Sequence, residues 1–354
     1  MSYKTLPVLA AVLVLTLAPL VAAEDADASP SGTYKEQLDA NGQAMYAYME
    51  SRFAELEDSP VAEASFSFTL AAPVVLASDE DAKSRAEALV GDVLTAYYLS
   101  DPYPIWLWSL PDREGVEVDP TTVTADIAGG YRALTSVSFK LSVPSGIQDE
   151  AAIRSAVDAV DAAVVSVEGE TEKDRIVAIN NILRGKTVVD EADSASTVYD
   201  ALVAGSASSS GIAAAFTVLC KANGVTAMTV NGMVMRSTDA DTAHGYWNYV
   251  RIDGTWYAAD ATFSSSDPEN CLLAGSTTKI DIGGGSVRYL STHAPDVGLW
   301  DGTTLCAPAL GSQGWDWPEP KASLLDRYGL YIFGAVIAVI IVAVLIHAVR
   351  VGDA

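Results

Sequence analysis

Cysteine, histidine and positive charge are all scarce in this chain of 354 residues, which has three cysteines, three histidines and 21 lysines and arginines. His244, His293 and His347 show no paired ligand spacing, which argues against a zinc site. The acidic loop around Asp239 and Asp241 lacks the glycine and the distal glutamate of a calcium loop. Neither a metal nor another cofactor is therefore expected. The 21 basic residues face 46 acidic ones, a formal net charge of −25. That balance excludes nucleic acid as the expected partner and disfavours docking on anionic lipid. No Asn-x-Ser/Thr acceptor occurs. Cys220, Cys271 and Cys306 allow one disulfide and one free thiol in an exported chain, with Cys271 and Cys306 the expected pair.

Long apolar runs stand at both ends. Leu6 to Ala23 is broken by Pro7 and Pro19 and closes on Val21-Ala22-Ala23 before Glu24-Asp25, the pattern of a cleaved signal peptide. Tyr328 to Val349 carries no charged residue, and about 20 such residues cross a bilayer as a helix. The expected topology is an extracellular ectodomain, a single span at 328–349 and a cytoplasmic tail at 350–354, which places the protein in the cell membrane. The partners this allows are the membrane itself and an extracellular protein, peptide or glycan.

Between these runs the periodicity is mixed. Helical spacing marks Tyr34 to Leu56 and Asp79 to Tyr98, and β-branched and aromatic residues mark Ala64 to Ala77 as strand. An aromatic loop kept extended by prolines follows at Asp101 to Trp108. Thr121 to Ile127 and Leu134 to Val143 read as strands, and Asp149 to about Val167 as a helix with acidic residues at its start. Further on, Glu172 to Leu183 reads as a helix, and a small-residue loop, Gly205 to Gly211, opens another from Ile212 to Ala222. Asn223-Gly224 stops that helix. Strand Val225 to Val230 leads to an Asn231-Gly232 hairpin turn and Met233 to Arg236. His244 to Ile252 and Thr255 to Thr262 pair around Asp253-Gly254. The fold class is α+β.

The stretch His244-Gly245-Tyr246-Trp247-Asn248-Tyr249-Val250, followed by Asp253-Gly254-Thr255-Trp256-Tyr257 and by Asp260-Ala261-Thr262-Phe263, resembles the transglutaminase-like superfamily in its secreted prokaryotic form. The resemblance runs from about Glu172 to Pro308, and Leu272 to Ser276 and His293 also resemble a family feature beyond the triad. It implies a papain-like core, a helix packed on an antiparallel sheet. The implied division is a signal peptide at 1–23, an N-terminal α+β region at 24–170, the transglutaminase-like domain at 171–310, a linker at 311–327 and the membrane span.

In that family a cysteine at a helix N-terminus is activated by a histidine on one strand, which an aspartate on the next strand orients. The resemblance places these roles at Ser209, His244 and Asp260. Serine in the cysteine slot removes the thiol, and a hydroxyl depends wholly on a well-placed base. Cys220 lies about 16 Å along the helix from Ser209 and reads as a buried apolar filler. The spacing also departs: the family has one residue between the histidine and Trp-Asn, and here Gly245 and Tyr246 both intervene. Along a regular strand the extra residue turns His244 to the opposite face, and a β-bulge at Gly245 would return it. Three readings follow. The first is a non-catalytic module, a pseudoenzyme that binds peptide or glycan or serves as structure. The second is a working Ser-His-Asp amidase, peptidase or acyl transferase. The third is an adhesin or assembly subunit whose N-terminal region does the work.

Overall fold

The computed structural model describes residues 32–103, 116–118, 124–127, 131–142, 149–190, 196–235, 242–263, 271–282, 285–296 and 305–317. The expected signal peptide, membrane span and tail lie outside these, as do the Asp239–Asp241 loop and the aromatic loop from Pro104 onward. Among the described residues no helix is long and apolar enough to cross a membrane. Residues 1–314 form one compact unit and residues 315–354 a second, of which 315–317 are described.

The N-terminal layer begins with a helix that the periodicity runs together and the structure splits. Helix α1 (Tyr34–Gln37) carries a capping box between Thr33 and Glu36, and α2 (Ala40–Asp58) restarts behind Asp39, whose carboxylate accepts from Gly42 N–H. Aspartate favours that restart because its side chain competes for backbone N–H groups at a helix start. Strand β1 (Glu63–Leu76) and helix α3 (Asp79–Ser100, capped by Ser78) follow. Strands β2 (Val116–Val118) and β3 (Thr124–Ile127) each pair with β4 (Tyr131–Ser142), and β4 also pairs antiparallel with β1. The β1–β4 register shifts between Thr69 and Val74, where Pro73 cannot donate to a ladder. Asn41 makes good the loss: its amide donates to Ala72 O and accepts from Ala72 N–H, both at 3.0 Å. Beneath the sheet Phe66 stacks on Phe139 at 4.8 Å, and Phe53 lies 4.7 Å from Tyr97.

Helices α4 (Glu150–Ala163) and α5 (Glu172–Lys186) lead into the second layer. A short parallel pair, β5 (Val188–Val189) with β6 (Ser206–Ala207), and one π turn at Asp200–Ala204 precede helix α6 (Ser209–Ala222). Helix α6 is apolar around most of its girth and is buried from Ser210 to Cys220, as a helix between two layers must be. It packs on β7 (Thr226–Val234) and β8 (Ala243–Ile252) of a five-stranded sheet ordered β10-β9-β8-β7-β13. The remaining strands are β9 (Thr255–Ala259), β10 (Leu272–Ala274) and β13 (His293–Pro295). A small hairpin, β11 (Lys279–Asp281) with β12 (Ser286–Arg288), and helix α7 (Tyr289–Thr292) connect the last two. Polar groups tie the helix to the sheet: Thr217 Oγ1 meets Thr229 Oγ1 at 3.0 Å, and Asn248 Nδ2 donates to Ala213 O at 2.8 Å and Thr217 Oγ1 at 3.0 Å. Each such bond contributes about 1 kcal/mol net, and an orphaned partner costs more.

The two Asx-Gly signals have different fates. Asp253 (φ 49°) and Gly254 (φ 80°) form the expected tight turn between β8 and β9. Asn231-Gly232 makes no hairpin, because β7 runs straight through both residues. Gly232 is required there for another reason: a Cβ on it would sit 2.1 Å from Ala294 O, against the backbone of β13.

The end of the first unit is laced to distant parts of it. Gln37 brackets Cys306, donating to its carbonyl at 2.9 Å and accepting from its N–H at 3.0 Å. Leu310 forms a parallel bridge with Trp256, and Gly311 N–H donates to Trp256 O at 2.9 Å. Ser276 and Thr277 N–H groups donate in turn to Gly311 O and Ser312 O. Cys306 is exposed and Cys271 buried, and neither is bridged, so the expected disulfide is not formed. Cys220 is buried, and burial pushes its thiol well above the ordinary range.

Candidate active site

Ser209 is the first residue of α6. The N-cap is Ser208, buried with Ser210, and their hydroxyls meet at 2.9 Å. The Ser209 side chain is half-buried, and its Oγ accepts a hydrogen bond from Tyr246 N–H at 3.2 Å. That N–H lies beyond the β8–β9 ladder, which extends only as far as Asn248. The helix start thus docks against an open stretch of the central strand.

Which side chains of that strand flank Ser209 is set by register. The β7–β8 ladder runs unbroken from Thr226 opposite Arg251 to Val234 opposite Ala243, so no bulge forms at Gly245. Asn248 points at the middle of α6, as its bonds to Ala213 and Thr217 show. Alternation puts Tyr246 and His244 on the face of Asn248, and Trp247 and Gly245 on the other. His244 is exposed and packs edge-on against Tyr246, with ring centroids 5.3 Å apart. Among the described residues no hydrogen bond links His244 to Ser209 or to Asp260. Gly245 lies two positions before Trp247, the spacing at which the family carries its histidine, while the histidine of this sequence stands one residue earlier. A Cβ built on it would stand 3.9 Å from Ser209 Oγ and 2.8 Å from Val234 Cγ2.

Asp260 follows β9 and is 2% exposed. Its Oδ1 accepts from Thr262 N–H at 2.7 Å and from Thr262 Oγ1 at 2.6 Å, and its Oδ2 lies 3.2 Å from His293 Nε2. His293 is fully buried. Tyr289 stacks on its ring at 4.1 Å, and Trp247 and Phe263 close the box at 5.2 and 5.6 Å. The Thr292 hydroxyl donates to Tyr289 O at 2.7 Å and lies 2.8 Å from His293 Nδ1, so both ring nitrogens have a polar partner inside the aromatic box.

The structure thus places Ser209 at the helix start beside Gly245, His244 on the face of β8 opposite to Gly245 and Trp247, and Asp260 with His293. A buried carboxylate needs a partner; the residue supplying it to Asp260 comes from β13, 33 positions later. Three metal-ligating side chains do not converge anywhere among the described residues.

A helix laid on an antiparallel sheet, with its N-terminus against the central strand and an aspartate after the next strand, is consistent with a transglutaminase-like core. Residues 161–261 match the model of the transglutaminase-like superfamily, and the chain contains a domain of that kind. No curated protein matches. Among solved structures, a TGase is 14% identical with a TM-score of 0.29 over 45% of this chain and 48% of its own. A candidate cysteine protease from Cytophaga hutchinsonii is 16% identical, with a TM-score of 0.24 over 42% of this chain and 64% of its own. A candidate protease from Parabacteroides distasonis is 12% identical, with a TM-score of 0.21 over 49% and 40%. The chain thus spans about half the length of the first of these structures.

Proposed function

We propose that this protein is a non-catalytic transglutaminase-like module of the cell surface, which binds peptide or glycan or serves as structure. The observation that carries this reading is Gly245. It stands beside the Ser209 hydroxyl without a side chain to act as base, while that hydroxyl accepts the Tyr246 N–H. An unactivated serine hydroxyl is a weak nucleophile. The test is covalent labelling of the full-length chain with a fluorophosphonate or an activated acyl ester. No Ser209-dependent label is expected; a label on the wild type that Ser209→Ala abolishes would establish the Ser-His-Asp hydrolase instead.

The surface location rests on the uncharged run at 328–349, and its test is separate. Alkaline carbonate extraction of cells should leave the chain in the membrane pellet, and truncation before Tyr328 should release it. Release of the untruncated chain by carbonate would remove the anchor from the proposal.

A further inference from the structure

At the end of α6 opposite to Ser209, about 18 Å away along the helix, four helices meet around a cavity of about 450 Å³. Its walls carry Glu57 from α2, Asp101 and Tyr103 from the end of α3, Asp161 and Val164 from α4 and its cap, and Val218, Lys221 and Ala222 from α6. Among the described residues of this lining, Lys221 is the one cation, against the carboxylates of Glu57, Asp101 and Asp161. Asp101 caps α3, is 8% exposed and pairs with Lys221. The Tyr103 hydroxyl donates to Asp161 Oδ1 at 2.7 Å. Glu57 adds a third carboxylate to the same lining. Beside this charged contact runs a neutral one: Asn223 accepts from Val167 N–H at 2.8 Å and donates to Val165 O at 3.0 Å. The junction therefore has a neutral clamp beside a cluster of charges.

We propose that this junction is an acid-responsive latch. Charge on Glu57, beside Asp161 and the Asp101–Lys221 pair, holds the meeting of α2, α3, α4 and α6 loose near neutral pH, and loss of that charge tightens it. The tightening fixes the seat of α6, the helix whose other end carries Ser209.

The electrostatics agree with the geometry. Burial raises the Glu57 carboxyl above its ordinary value, Asp101, Asp161 and Asp58 add to the rise, and Lys221 opposes it. Burial likewise raises Asp101, which Lys221 opposes and Glu50 reinforces. Tyr103 is raised by burial and then by Asp161, with Glu57 and Asp158 adding to it, so its phenol stays protonated. A carboxyl raised in the folded state contributes stability that is complete below its unfolded value. That contribution is lost as pH rises through the raised value. Acid therefore strengthens the latch and neutral pH weakens it.

Thermal unfolding of the full-length chain tests this. Glu57→Gln should raise Tm by about 2 °C at pH 7.5, and the gain should vanish at pH 4, where the native glutamate is itself protonated. Lys221→Met should lower Tm at pH 7.5 by a similar amount and have less effect at pH 4. In the wild type, amide exchange in the last turns of α3 and α6, corrected for its intrinsic pH dependence, should slow between pH 7.5 and pH 4. In Glu57→Gln that slowing should be smaller. A Glu57→Gln variant with unchanged or lower Tm at pH 7.5, a gain that persists at pH 4, or exchange that does not slow in the wild type would each overturn the latch.

Discussion

Replacing His293 by alanine should lower the unfolding free energy by about 3–5 kcal/mol, whereas His244→Ala should change it by less than about 0.5 kcal/mol. The difference follows from where the two imidazoles sit. His293 is fully buried, bonded to Asp260 at 3.2 Å and to Thr292 at 2.8 Å, and stacked on Tyr289. Its removal strands a buried carboxylate and opens a gap among three aromatic rings. His244 is exposed on the other face of β8 and touches Tyr246 edge-on. Urea unfolding followed by far-UV circular dichroism measures both. In a working triad built on His244, that residue would be held by Asp260, and the two substitutions would then cost comparable amounts. Equal losses would therefore refute the assignment of Asp260 to His293.

The second large effect is a gain of chemistry. In a Cys306→Ser background, which removes the exposed thiol, Ser209→Cys alone should react with iodoacetamide slowly at pH 7. Adding Gly245→His should accelerate that alkylation by about tenfold or more, because an adjacent imidazolium lowers a thiol pKa from its ordinary value toward neutrality. The new side chain needs room: a Cβ at position 245 would press on Val234 Cγ2 at 2.8 Å, so Val234→Ala belongs in the design. The rate should show a plateau above the new thiol pKa. A rate unchanged by Gly245→His would mean that position 245 does not address Ser209. The missing imidazole would then fail to account for an inert serine.

Much of this fold is written locally and can be read without coordinates. Strand β1, helix α3 and helix α5 fall close to where residue type or helical spacing puts them; α5 buries the single stripe Ile176, Ile179, Asn180 and Leu183, whereas α3 is buried on every side from Val93 to Leu99. The Asp253-Gly254 turn is equally legible, because two consecutive residues with positive φ leave few sequences to choose from. Asn231-Gly232 shows the limit of the same rule. The glycine is real and necessary, but what demands it is the backbone of β13, more than 60 residues away in the chain.

The candidate site divides along the same line. Ser209 lies where the small-residue loop meets the helix, and Asp260 was legible through the resemblance as the aspartate of the site. The partner was not, because His293 reaches it through a strand order, β13 beside β7, that no local pattern encodes. The orientation of His244 turned on a single question, whether Gly245 bulges. A glycine permits a bulge and does not require one, and the continuous pairing of β7 with β8 decides against it. Alternation then puts His244 on the face opposite to Gly245 and Trp247 and leaves the smallest residue beside the Ser209 hydroxyl.

The lacing of residues 305–314 has a mechanical consequence. Tension entering the chain from beyond Gly314 reaches Ser312 and Gly311 first, and passes through their backbone bonds to Thr277, Ser276 and Trp256. Further back along the same segment, Gln37 holds Cys306. Force applied at that end is thus taken up first by the backbone bonds to Thr277, Ser276 and Trp256, at the edge of the sheet, with the Gln37 clasp on Cys306 in reserve behind them.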